Sequence, residues 1–580
     1  MRRAVVLILL VAAIPAAAQP PPEFELPEVI IPGRRPQPLG STPASVTVLT
    51  REELDALGIG TVADALQLVP EVFIRGYGGA GSLAEASIRG FGPGQVLVLL
   101  DGVPLNNVAL GQADLSTISL LGVERIEVLR GPFAALAGSG ALGGVINIVT
   151  GRAHPTATVR YGGAGERRLS LAGGTGTATY GLDLSGSDGI RPNSDHADVT
   201  ARLELRPRER LRLSVHHHRA HLGSPGDLGA PTPFDRQASD RTVVQAQWSA
   251  QTLLIRGYYA GERLVFDTPF GTSIYQAAVA GGEWQRRWAV SPSRLVVAGV
   301  EVQAQRLDAV VFGSAIREDA VLAAGYAQYD AVLSPRTLAS LGLRLDAHSR
   351  YGTALNPRAG IVYSLDERTR IRAAVGRTFR GPTFLHLFFP GCSNPDLSAE
   401  SAWAAEVGLE RTLSRGTISA TAFGAEARNL ITTGCPPVNV NEASFRGISL
   451  EGRARISAGT ELRANLTAQQ AVDRISGAPL PRVPALALNA TVTHRLSPAS
   501  SVAAVLRYVG VRHDIDFSTF PAVPVELPGY VDLGLRYQRR VGETWMVTIG
   551  VDNVLDARYE VVKGFPAAGR RVFISASGRF

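Results

Sequence analysis

Cysteine and methionine are nearly absent from this chain of 580 residues, which has two of each. Lysine is scarcer still: Lys563 stands alone among 58 basic residues, and the rest are arginine. Two cysteines are too few to be the framework of the fold. The net charge of +7 is spread along the chain, and no basic cluster is interleaved with aromatics, which argues against a single-stranded nucleic-acid groove. Charged residues make up only 19%, and no long helical repeat occurs. After the first residues there is no run of 18 apolar residues, so no membrane-spanning helix is expected. The Gly-rich stretches "GAGSL" and "GSGALGG" are neither a phosphate-cradling loop nor a nucleophile elbow. With no catalytic cluster and no ATP site, the chain reads as a non-enzyme that draws energy from a partner.

What is present points to export and to β-structure. Arg2 and Arg3 precede an apolar run from Ala4 to Ala13, and Ala16, Ala17 and Ala18 offer a small-residue cleavage site. Residues 1–18 therefore read as a secretory signal peptide. Glycine numbers 62, and Thr, Val and Tyr are frequent. An exported membrane protein without spanning helices must close its sheet, because lipid cannot satisfy an open edge.

The organisation follows from composition. Residues 19–40 are Pro-rich and lack periodicity, as a flexible segment does. Residues 41–150 form one compact α/β unit. In it "SVTVLT" and Val96–Leu100 read as strands, and "TREELDALGIGTVADALQLVP" as two short helices, the second opened by Thr61. From 151 to 580 short alternating segments are separated by turn residues. In "ELRANLTAQ", Leu462, Ala464, Leu466 and Ala468 share one face, and Glu461, Arg463, Asn465, Thr467 and Gln469 the other. Such alternation is the mark of a membrane strand. Short turns at Pro207–Arg210, Ser291–Arg294, Ser334–Thr337, Asp366–Thr369, Leu413–Gly416, Ser497–Ser501 and Arg540–Thr544 alternate with longer loops at 222–240, 380–399, 429–445 and 513–527. The expectation is an all-β barrel of about 22 antiparallel strands with an α/β domain filling its lumen.

Four motifs carry a resemblance: "IRG" at Ile88–Gly90, "VLLDGVPLN" at Val98–Asn106, "VERIEVLRGP" at Val123–Pro132 and "GALGGVINIVT" at Gly140–Thr150. In this order and spacing they resemble the plug domain of TonB-dependent outer-membrane receptors. The resemblance implies a monomeric barrel in the outer membrane of a Gram-negative bacterium, surrounded by lipid and energised by TonB. It makes the Val29–Ile31 run in "PEVIIPG" a TonB box, Glu28, Val29, Ile30, Ile31 and Pro32; the alternative is a spacer with β-branched residues. The terminal aromatic of "RRVFISASGRF" resembles the family's barrel-assembly signal. The polar plug residues Arg89, Asp101, Glu127 and Arg130 are expected to be held by charges on the barrel wall, or else to be static pairs.

Within the family, "RYVGVRHDIDFSTFP", "VDNVLDARYEVVKGFPAAGRRV", "GAPLPRVPALAL" and "RTFRGPTFLHLFFPGCSNPDLSAESAWAAEVGLE" resemble the cobalamin receptors. That resemblance implies cargo contacts at Leu83, Glu85, Gly92, Ala109, Leu110, Arg482 and Arg512. Glu85 stands where a small hydroxyl residue is usual, Gly92 for an amide and Leu110 for another hydroxyl, so donors to corrin amides are lost, each worth about 1 kcal/mol. The same resemblance makes calcium possible at Asp188, Asp195 and Asp198, with Asp227 and Asp235 one loop later; solvated loop carboxylates are the alternative. No cofactor is required for chemistry.

"HHHRAH" invites a metal reading. Strand parity puts His217 toward lipid, His216 and His218 toward the lumen, and His221 near the outer rim. Cys392 precedes one strand of a hairpin and Cys435 follows the other, so both reach the same rim and are expected to form a disulfide; a metal pair or idle thiols are the alternatives. A siderophore or metal-chelate receptor is the rival function of the same class. A passive porin or adhesin is the rival from another class, and the plug argues against it.

Overall fold

A computed structural model describes residues 28–29, 37–38, 42–152, 155–432 and 434–580. The expected signal peptide lies outside the described residues, as do Ile30, Ile31 and Pro32 of the expected TonB box. Glu28–Val29 pairs antiparallel with Gln37–Pro38.

The N-terminal domain is built on a five-stranded sheet. Its spatial order is Ser45–Thr50, Val123–Arg130, Gly144–Thr150, Val96–Leu100 and Val103–Pro104. Gly144–Thr150 runs parallel to Val96–Leu100 and antiparallel to Val123–Arg130. Every residue of that "GVINIVT" strand is buried, which explains why it is a continuous β-branched run and does not alternate. Thr50 starts the helix Arg51–Ala56 with a capping box to Glu53, and Thr61 caps Val62–Leu66 through the Asp64 amide. Both caps satisfy N–H groups that would otherwise lack partners. A separate hairpin, Val72–Gly76 against Ala84–Ile88, rises from this core.

Around this plug closes a barrel of 22 antiparallel strands, from Thr156–Gly162 to Arg571–Arg579, and those two strands pair to seal it. Alternation decides which side chains face in. Along Ser314–Ser334, Ala320, Leu322, Ala324, Tyr326, Gln328 and Asp330 are buried toward the lumen, while Val321 and Tyr329 stand exposed on the outer wall. In the strand Thr460–Asp473, Asn465 donates to the carbonyl of Leu68 in the plug (3.0 Å), and Thr467 accepts from the Glu71 amide (3.1 Å). These two polar positions face the lumen, as the sequence alternation requires. Among the described residues no helix is long and apolar enough to cross a membrane.

The connections separate the two ends of the barrel. All seven expected short turns lie at the end where the plug joins the wall, together with 174–178, 249–253 and 455–460. At the opposite end long loops occur at 224–235, 381–399, 474–485, 510–529 and 553–570, but three connections there are tight, at 268–271, 311–314 and 348–352. The expected alternation of short and long therefore breaks in this sector. The strands are the reason: Gly271–Ser291 and Ser314–Ser334 have 21 residues each, about twice what a bilayer needs, so the ladder itself continues where a loop was expected.

On the other side of the mouth, three loops are laced together. The Leu228 amide donates to the Gly564 carbonyl (2.9 Å) and the Lys563 amide to Asp514 (2.8 Å). Short hairpins, Arg512–Asp516 with Val523–Leu527 and Glu560–Val562 with Phe565–Pro566, stiffen two of them.

Candidate functional site

Charged contacts between plug and wall gather in two buried seams, with more exposed pairs from plug Glu53 to wall Arg453 (3.1 Å) and Arg463 (3.5 Å) and from plug Asp55 to wall Arg579 (3.1 Å). In the first seam, Arg89 bonds Glu71 of the plug and reaches Glu406 on the wall (2.8 Å), while Arg130 bonds Glu71 (3.3 Å) and wall Glu451 (3.0 Å). Wall Ser449 donates to Glu71, and wall Arg372 to the Ser45 hydroxyl (2.6 Å). Burial alone would push the Glu71 carboxyl up, but Arg89 and Arg130 outweigh it and hold the group below its usual range. The wall strands concerned are Thr369–Arg380, Glu400–Leu413 and Asn439–Arg455.

About ten strands around the barrel, the second seam reverses the signs. Asp101 is the plug's anion. It accepts from the Thr150 amide (2.8 Å) and hydroxyl (2.6 Å) and from wall Arg212 (2.8 Å). Wall Arg256 donates to the Asp101 carbonyl (3.0 Å), and Arg202 to the Gly151 carbonyl (3.0 Å). Wall Glu204 bridges Arg202 and Arg212. Here too burial opposes and Arg212 leads the forces that lower the carboxyl's proton affinity.

Three residues of these seams, Glu71, Arg89 and Asp101, have φ of +65°, +54° and +51°. Left-handed backbone costs a non-glycine residue roughly 1–2 kcal/mol, and here buried ionic hydrogen bonds hold it in place. The wall thus holds Arg89, Asp101 and Arg130. Glu127 pairs with Arg125 (2.8 Å) and Asn147 (3.3 Å) of the plug.

At the loop end the plug apex presents Tyr77, Leu83, Glu85 and Gly92. The Tyr77 hydroxyl bonds Glu85 (3.2 Å) and accepts from Arg482 (2.9 Å), and its ring meets Phe565 edge-on at 5.2 Å. Arg482 also pairs with Asp514 (2.8 Å) from a left-handed backbone, φ +62°. Tyr77 therefore joins the plug to two outer loops. Burial, then Glu85, pushes its hydroxyl up to about 12. The Glu85 carboxyl is also raised, by burial first, against the pull of Arg75.

The expected cargo residues are not all alike. Leu83, Gly92 and Leu110 are partly accessible. Ala109 is fully buried among Leu264, Tyr275, Leu307 and Phe384, so its side chain is packing. Arg512 is 1% exposed and is consumed by the carbonyls of Pro528, Glu560 and Val561 beneath the Tyr530 ring. It fastens loops together, because a guanidinium with three carbonyl partners has few donors left for a ligand.

The aspartates do not converge either. Asp188 pairs with Arg167 (2.9 Å), Asp195 takes both Arg236 nitrogens (2.8 and 2.9 Å), and Asp198 accepts from Ser185 (2.6 Å). Arg236 holds the Asp195 carboxyl below its usual range. Among the described residues no group of three metal-binding side chains occurs. The histidines follow parity: His216 lies 4.0 Å from Asp101 and His218 bonds Thr200 (2.9 Å) inside, while His217 bonds Thr242 (3.0 Å) on the outer wall. His221 is exposed on the outward parity. Cys392 and Cys435 are joined by a disulfide that links the loops 381–399 and 432–438.

Residues 38–145 match the family model of the TonB-dependent receptor plug domain, and residues 141–554 that of the TonB dependent receptor-like β-barrel. The chain belongs to the TonB-dependent receptors. As such it is an outer-membrane transporter, with the short turns on the periplasmic side and the laced loops outside. A relative from Vibrio cholerae, named vitamin B12 transporter BtuB, is 26% identical over 95% of both chains. Another of that name from Photobacterium profundum is 27% identical over 73% of this chain and 75% of its own. The solved siderophore receptor PirA of Acinetobacter baumannii superposes with a TM-score of 0.78 at 18% identity, covering 93% of this chain and 98% of its own. That likeness is one of fold.

Sequence reasoning missed Glu71, Tyr77 and all the wall partners, Arg212, Glu406 and Glu451 among them. Lumen parity marks the wall residues as inward-facing, but nothing in the sequence says which plug residue each will meet.

Proposed function

We propose that this receptor carries cobalamin or a related corrinoid across the outer membrane. The observation that carries this reading is the relationship to vitamin B12 transporters over 95% of both chains; the loop motifs at Arg507–Pro521 and Val551–Val572 support it. Cargo settles on the outer loops and the plug apex around Leu83, Gly92, Leu110 and Arg482. Binding shifts the plug toward a state that frees Glu28–Pro32, and this strand pairs with TonB by β-augmentation. The pull must then break one of the two charged seams. The protein works as a monomer after removal of residues 1–18.

Binding of radiolabelled cyanocobalamin to the purified protein, with and without calcium, tests the cargo. Saturable binding is expected, and its absence overturns the corrinoid reading while leaving the receptor intact. Deleting Glu28–Pro32 is expected to abolish uptake and to leave binding within about threefold. Equal loss of both would remove the TonB-box assignment. A ferric siderophore is the second reading, favoured by the lost donors at Glu85, Gly92 and Leu110; growth rescue with iron chelates in place of corrinoids distinguishes it.

A further inference from the structure

Among the described residues, one arginine of the plug apex forms neither an ion pair nor a hydrogen bond. Arg75 lies on the strand Val72–Gly76, and its cross-strand partner in the hairpin is Glu85. Opposite charges facing each other across two strands ordinarily pair. Here Glu85 turns to the Tyr77 hydroxyl (3.2 Å). Among the described residues Arg75 makes no ion pair and donates no hydrogen bond, and its Nε is buried without a partner. The second cation of the apex, Arg482, is already committed to Asp514 and Tyr77.

Gly92 lies before the fork: a Cβ there would stand 3.8 and 4.0 Å from the two terminal nitrogens of Arg75. A side chain larger than glycine at 92 would fill the floor in front of the guanidinium. A half-buried guanidinium without an acceptor is costly. Its planar fork matches the two oxygens of a carboxylate or phosphate.

We propose that Arg75 anchors an oxyanion of the cargo, a phosphate, phosphodiester or carboxylate seated over Gly92 at the plug apex. The proposal rests on the transport reading, and it narrows that reading to cargo bearing an anionic oxygen group. It also places the anchor on the plug itself, one hairpin strand away from Glu71 of the first seam, so cargo pulls on the element that must move.

Cyanocobalamin carries a phosphodiester, and cobinamide has the same corrin ring without it. Calorimetric titration of the full-length receptor with both is expected to show Arg75→Gln weakening cyanocobalamin at least tenfold and cobinamide less than twofold. Arg75→Lys, a point charge without the fork, falls between. Equal losses for the two corrinoids, or no loss for either, overturn the proposal.

A second measurement is independent of corrinoids, so a parent protein that binds neither removes the cargo reading without sheltering Arg75. Phenylglyoxal modification is read at Arg75 by peptide mass mapping, with and without inorganic pyrophosphate. Modification of the parent, and protection by pyrophosphate, are expected. Gly92→Asp, whose carboxylate reaches the fork, is expected to protect Arg75 without added anion, and the uncharged Gly92→Asn is not. An Arg75 that resists modification in the parent, or one that neither pyrophosphate nor Gly92→Asp protects, overturns the proposal.

Discussion

The two seams between plug and wall solve one problem with opposite charges. On one flank the plug supplies Arg89 and Arg130 and the wall supplies Glu406 and Glu451. On the other the plug supplies Asp101 and the wall Arg212, backed by Glu204. Were both flanks of one polarity, a plug seated half a turn away would still meet attractive charges. With the signs reversed, that seating places arginine against arginine and carboxylate against carboxylate. Like charges in a buried seam cost several kcal/mol, so the reversal selects one orientation. Each flank has a buried centre and one more accessible wall partner: Glu71, Arg130 and Glu406 are exposed by 1% or less beside Glu451 at 25%, and Asp101 by 4% beside Arg212 at 16%.

Removing the carboxylate shared by two arginines should have the largest effect. Glu71→Ala leaves Arg89 only the carboxylate of Glu406 and Arg130 only that of Glu451, and is expected to cost about 3–5 kcal/mol, the range for breaking a buried ion pair. Hydrogen exchange of the strands Ser45–Thr50 and Val123–Arg130 would read it, and an unchanged opening free energy would break the comparison. Asp101→Asn keeps the shape but removes the charge, and is expected to cost less, about 1.5–3 kcal/mol, concentrated in the strand Gly144–Thr150. The swap Asp101→Arg with Arg212→Asp sharpens the point: each single change is expected to destabilise the plug, and the pair to recover part of the loss. Full additivity would show that the two sites do not interact.

The smallest effect belongs to the apex. The Glu85 carboxyl lies above its usual value near 4.5 because burial disfavours its charged form. A raised carboxyl means that the folded hairpin holds its proton more tightly than the unfolded chain does. Stability is then greatest below the usual value and declines as pH rises through the folded one. Opening of the hairpin Val72–Gly76 with Ala84–Ile88 should therefore become easier as pH rises above the usual carboxylate value. Glu85→Gln is expected to flatten that dependence, and a parent hairpin indifferent to pH would count against it.

The barrel was legible because lipid and lumen impose a period of two on every strand. Leu462 to Ala468 against Arg463 to Gln469 is readable without any partner, and the strand count follows from such segments. Loop lengths were less legible, because a strand that runs past the bilayer, as Gly271–Ser291 does, keeps its alternation and gives no sign of where the membrane ends. The plug residues with fixed motifs were visible, but their wall partners were not, since a lumen-facing Glu at 406 looks like any other. At the apex the obstacle was orientation. Ala109 and Arg512 sit on loops whose packing is decided by other loops, and no local pattern distinguishes a guanidinium spent on carbonyls from one awaiting a ligand. Arg75 was passed over for the same reason: in sequence it is one arginine among many, and only the turning of Glu85 to Tyr77 leaves it alone.

The scarcity of lysine has a practical consequence at the mouth. Lys563 lies in the laced loop 553–570, with Glu560 at 3.6 Å and Asp516 at 4.0 Å. Apart from the N-terminal amine, it is the one primary amine in the chain. An amine-reactive dye thus finds a single address on the extracellular side, without any engineered cysteine and with the disulfide undisturbed. Arginine everywhere else offers such a dye no competing side chain, so the emission of one fluorophore reports how the outer loops part and close.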